Sequence, residues 1–170
     1  MFCGGIDQAA AQRIMNGINI ATQQKQNVHL MLQSTGGLIG DGVCLYNYLR
    51  GCPADVTLYN VGTVSSIAVV AYLGATSRVA NQYSTFMIHS ATAPAVPMNT
   101  MNIEAAAKSL SIDDERIKKI LESHIEIDDD QWSHLRYHEL WFTAPDAVKS
   151  GIATIIGDFS PPKGSPVYTL

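Results

Sequence analysis

Short β-branched, apolar runs alternate with longer segments of helical period through the first two-thirds of the chain, and nothing else in it narrows the possible folds so far. The runs are "NVHLMLQ" (27–33), "DVTLYNV" (55–61), "SRVA" (77–80) and "STFMIH" (84–89). Ahead of the first, "QAAAQRIMNGINIATQQ" sets Ala10, Ile14, Ile18 and Ala21 on one face, with Asp7 placed to cap it. Between the first two, "LIGDGVCLYNYLRG" keeps Ile39, Val43, Tyr46 and Leu49 in register and stops at Gly51. Strands separated by helices are joined by crossovers rather than hairpins, which makes them parallel neighbours. The pattern predicts an α/β fold with a largely parallel sheet, and 170 residues suffice for one domain spanning 1–170. Ligands of such sheets bind just beyond the carboxyl ends of strands. Three features fall there: the "STGG" turn, the "GTVSS" turn and His89.

The rest of the chain is less regular. "ATAPAVPMNT" carries two prolines and no period, so it reads as a loop. A long helix is predicted over about 100–125, with Ile103, Ala107, Leu110, Ile117 and Leu121 on its apolar side. "EIDDD" interrupts it, "DQWSHLRYHEL" reads as a short helix, and "TAPDAVKSG" as another, capped by Thr143 and closed by Gly151. "IATIIGDF" supplies a last strand, and the proline-rich tail 160–170 is expected on a surface or a partner. A net charge of −4 without a lysine/arginine block gives no reason to expect nucleic acid. The apolar stretch 67–75 is too short to span a bilayer, and "MFCGGIDQ" does not read as a signal peptide. Cys3, Cys44 and Cys52 cannot all pair and lack metal-type spacing, which points to a reducing, cytoplasmic setting with no metal or cofactor.

Ser66, in "GTVSSIA", stands at a helix entrance, where a serine most often does nothing more than cap. Ser65 has the same plain explanation, and a lone histidine such as His89 is commonly a packed core residue. Their shared position at one sheet edge gives the pair a second meaning. An imidazole there can take a proton from a hydroxyl and return it to a leaving amine. Gly36 and Gly37 either make a tight turn or let backbone N–H groups approach a reacting carbonyl. No histidine joins a metal motif, and the acidic runs read as solvated turns.

Taken in order, "STGGLIGDGVCLYNYLR", "NVGTVSSIAVVAYLGATSRVANQYSTFMIHSA" and "FTAPDAVKSGI" resemble the proteolytic subunit of the Clp protease family over about residues 5–157. The resemblance implies a spiral of βαβ units shared with crotonase-type enzymes, bearing a long handle helix. It implies a serine endopeptidase acting through an acyl-enzyme, with Ser66 as nucleophile, His89 as base, and the N–H groups of Gly37 and Ile67 as oxyanion hole. Where the family has an aspartate, this chain has Glu139, with Asp146 and Asp128 to Asp130 as fallbacks. It further implies a homo-oligomer of stacked heptameric rings that takes peptides or unfolded proteins into a chamber. The family's pore-lining N-terminal segment contacts an AAA+ unfoldase, whereas this sequence starts at "MFCGGI", just ahead of the first helix, which argues against that partnership. "SA" follows His89 where the family commonly has glutamine-proline, a change bearing on how a substrate strand docks. The competing readings are a crotonase-fold enzyme of acyl-CoA thioesters and a catalytically inactive assembly subunit.

Overall fold

The computed structural model describes residues 1–92, 99–135 and 137–170. At its centre, strands Val28–Ser34 (β2) and Val56–Ser65 (β3) pair in parallel, from Val28 against Val56 onward. Their apolar positions Leu30, Leu32, Leu58 and Val64 are buried, as a sheet covered on both faces requires. Phe2–Cys3 (β1) lies beside β2, Ser77–Ala80 (β4) beside the first half of β3, and Ile155–Ile156 (β7) beside β4, all in parallel. Thr85–Ile88 (β5) takes the second half of β3, also in parallel, and Leu140–Thr143 (β6) closes on β5 antiparallel. Among the described residues these seven strands form one sheet. The fold is mixed α/β with a mainly parallel sheet, as the alternation predicts.

The division of β3 between two partners builds the site. Asn60 sits at the fork, fully buried, and its amide donates to Thr85 O at 2.8 Å while its carbonyl accepts from Gly62 N at 3.0 Å. Gln33 Oε1 accepts from Thr63 N at 2.9 Å. These side chains and the new ladder to β5 satisfy the backbone of "GTVS", so the segment expected as a turn continues as strand to Ser65.

Helices Gln8–Gln23 (α1), Ile39–Gly51 (α2) and Ile67–Leu73 (α3) follow the sequence expectation closely. Asp7 caps α1, accepting from Ala10 N at 2.7 Å. All seven residues of α3 are buried, whereas in Thr100–Glu122 (α4) the buried residue is Leu121. That helix stops three residues short of the expected end at 125. Asp129–Leu135 (α5) is shorter than the predicted segment, and Ala144–Lys149 (α6) carries a full capping box from Thr143 and Asp146. β1 and β6 were not foreseen from the sequence, and "IATIIGDF" yields only the two residues of β7. Most of the predicted loop 91–100 falls on 93–98, outside the described residues. Among the described residues no helix is long and apolar enough to cross a membrane.

Candidate active site

Parallel pairing of β3 with β5 sets Ser65 against Met87, and Ser66 N donates to Met87 O at 2.7 Å. Ser66 and His89 thus stand just past the ends of adjacent strands, though 23 residues apart in sequence. Their side chains meet: Ser66 Oγ lies 2.8 Å from His89 Nε2. With the neutral imidazole protonated at Nδ1, the hydroxyl donates to Nε2, which is the arrangement proton removal requires. Ser66 has φ 57° and ψ −133°, a backbone state that costs a residue with a Cβ on the order of 1–3 kcal/mol. The sharp passage from β3 into α3 demands it, and it lifts the hydroxyl out of the buried strand. Ser65, one residue earlier, is only 2% exposed, and its Oγ is buried without a hydrogen-bond partner.

Gly36 makes room for this turn. It has φ 107°, and a Cβ there would lie 2.7 Å from Ser66 Cβ and 3.1 Å from Oγ. Gly37 forms a parallel bridge with Ile6, in which Ile6 N donates to Gly36 O at 2.8 Å and Leu38 N to Ile6 O at 2.7 Å. A residue between two such bonds turns its own N–H to the opposite side. A Cβ on Gly37 would collide with the Ile6 carbonyl. Ile67 opens α3, so its N–H has no acceptor within the helix. Gly37, Ser66, Ile67 and His89 all line one cleft, whose apolar wall includes Ile39, Val70, Ile88, Ile117 and Leu121.

Glu139 adjoins His89 by register, while its side chain is hydrogen-bonded elsewhere. β5 and β6 pair as far as Ile88 with Leu140, and His89 and Glu139 each stand one residue beyond that last pair. The Glu139 carboxylate, exposed, accepts from Trp141 Nε1 at 3.0 Å. The fallback acids serve elsewhere: Asp146 accepts from the Thr143 hydroxyl at 2.6 Å, which holds its carboxyl below the usual range. Asp128 accepts from Gln131 N at 2.7 Å, and Asp129 and Asp130 open α5. Asp114 also reaches this region: its carboxylate accepts from Ala91 N at 2.6 Å, two residues past His89. No local signal marks it, because the partner is a main-chain group of a distant segment. Among the described residues no group of three His, Cys, Asp or Glu side chains is placed to hold a metal ion.

The profile of a family described as Clp protease matches residues 1–159. The ATP-dependent Clp protease proteolytic subunit 1 of Streptomyces avermitilis is 24% identical over 151 residues, covering 86% of this chain and 69% of that protein. The ATP-dependent Clp protease proteolytic subunit 3 of Rhodococcus jostii is 25% identical over 156 residues, covering 89% and 77% respectively. Among solved structures, a mutant of ClpP1 from Listeria monocytogenes superposes with a TM-score of 0.79 at 21% identity, over 92% of this chain and 89% of its own, so the two share a fold.

Proposed function

The chain belongs to the Clp protease family and is a serine-type peptidase, and from that premise we propose that Ser66 is its nucleophile and His89 its general base. The observation that carries this is the 2.8 Å approach of Ser66 Oγ to His89 Nε2 at the mouth of the cleft. Oγ attacks the scissile carbonyl as its proton passes to Nε2. The carbonyl oxygen becomes an anion that accepts from the N–H groups of Gly37 and Ile67. The imidazolium then gives its proton to the departing amine, leaving an acyl-enzyme. Water, deprotonated by the same imidazole, releases the second product.

Glu139 is our candidate for the third member. Its support is the β5–β6 register, whose last pair, Ile88 with Leu140, adjoins both Glu139 and His89. Rotation of its side chain away from the Trp141 indole would let the carboxylate accept from Nδ1–H and fix the tautomer that catalysis uses. The apolar wall of the cleft favours an apolar side chain before the scissile bond. Every group in these steps belongs to the chain itself, so hydrolysis of short peptides proceeds without nucleotide, although the curated relatives are named ATP-dependent. The exposed Met101, Ile103 and Ile112 on α4 support assembly into homo-oligomeric rings, with the stacked heptamer as the form the resemblance implies. Free Cys3 and Cys44, both exposed, support a reducing compartment such as the cytoplasm.

The test is nucleotide-free hydrolysis of short peptides that differ only at the residue before the cut. Leucine there should be cleaved about tenfold or more faster than aspartate, the usual range for apolar pocket discrimination, and Ser66→Ala should remove the activity while rings still assemble. Turnover retained by assembled Ser66→Ala would overturn the assignment.

A further inference from the structure

The two residues that follow His89 are each tied to a different helix. Ser90 Oγ donates to Leu135 O at the end of α5, at 3.0 Å, and Ala91 N donates to Asp114 Oδ1 on α4, at 2.6 Å. The chain leaves the sheet at this point, since β5 ends at Ile88. Among the described residues these two bonds tie the segment beyond the imidazole to the helices, and the one to Asp114, made by the main chain, is short and charge-assisted.

Asp114 is unlike its neighbours on α4. Asp113 pairs with Arg116 at 2.7 Å and Glu115 with Lys119 at 2.7 Å, both within the helix. The Asp114 carboxylate instead leaves the helix to meet a backbone donor in another segment. Aspartate is also among the poorer residues for a helix interior. The face it occupies is the face that reaches the site: Ile117 and Leu121, three and seven positions on, line the same cleft as Ser90 and Ala91. Alanine at 91 matters too, because it supplies the N–H that a proline would lack.

We propose that Asp114 is a positioning residue for the peptidase reaction, holding the Ala91 N–H and through it the main chain that carries His89. This rests on the reading of His89 as base. Losing the anchor frees the segment after the base and lengthens the time-averaged separation of imidazole and hydroxyl. The loss therefore falls on acylation, with substrate affinity little changed.

The experiment measures the rate of Ser66 labelling by a fluorophosphonate, together with kcat and KM on a short peptide, in the assembled protein. Asp114→Ala should slow both labelling and kcat by about tenfold or more, the scale of a lost hydrogen bond to a charged group, with KM nearly unchanged. Asp114→Asn, which keeps an acceptor oxygen at the same reach, should restore most of the rate. Ala91→Pro, which deletes the donor, should also slow labelling, and adding Asp114→Ala to it should cost little more, because both changes break one bond. Labelling of Asp114→Ala at the wild-type rate would overturn the proposal, as would a loss confined to KM or additive losses in the double variant. If Asp114→Ala does not assemble, Ala91→Pro decides alone, and its labelling at the wild-type rate is the contrary result. Absence of labelling in the wild-type protein would instead reject the reading of Ser66 and His89.

Discussion

The Ser66 side and the Glu139 side of His89, the proposed nucleophile and acid sides, are built to different standards. Ser66 is held by strand pairing on one side and the fully buried α3 on the other, with Gly36 cleared to admit it. Glu139 stands one residue ahead of β6, exposed, with its carboxylate on the indole of Trp141, a residue that is 58% exposed. One position is set by the whole core and the other by a single side-chain torsion. A strained backbone survives only where its surroundings over-determine it, so Ser66, the proposed nucleophile, is where this fold concentrates its rigidity. The acid side keeps a choice of hydrogen-bond partner.

The most damaging way to break that contrast is Gly36→Ala. Its methyl would occupy the space of the Ser66 side chain, and acylation should fall by about a thousandfold, as when a preorganised site is lost. A wild-type rate in peptide hydrolysis would show the site to be far more pliant than the packing implies. On the acid side, Glu139→Gln should lower kcat by about a hundredfold or more if the carboxylate sets the imidazole tautomer. Unchanged kcat would put the acid elsewhere. Trp141→Phe removes the competing N–H, and steady-state rates should rise by up to about tenfold, the worth of one hydrogen bond. A fall would mean that the indole supports Glu139 in its working position. Smallest of all is Ser65→Ala, which deletes a buried hydroxyl without a partner. It should stabilise the protein by about 1 kcal/mol in denaturant unfolding and leave peptidase activity intact. Loss of activity would instead implicate the wrong serine.

The same contrast explains what the sequence could tell. Leu30, Leu32, Leu58 and Val64 announce a covered parallel sheet because apolar positions repeat along continuous strands, and all four are buried. Asp7 and Thr143 announce helix starts because capping depends on neighbours three residues away. Ser66 and His89 stand out in the sequence because each follows directly on a strand, and parallel pairing brings the two together. β1 is two residues long and β6 carries exposed Trp141, so neither shows a readable period. The fork at Asn60 depends on an amide reaching Thr85 O, 25 residues away. Likewise, a sequence can offer Glu139 as an acid but not choose between imidazole and indole as its partner. Tertiary hydrogen bonds of single side chains leave no periodic trace.

The central claim is that one hydroxyl, Ser66 Oγ, is activated by one imidazole, His89. Its most direct measurement is fluorophosphonate labelling with the modified residue mapped by mass spectrometry, in wild type, Ser66→Ala and His89→Ala. A single adduct on Ser66 is expected in wild type, none in Ser66→Ala, and labelling slowed by about a thousandfold or more in His89→Ala. An adduct elsewhere, or labelling of Ser66 at the same rate without the imidazole, would contradict it.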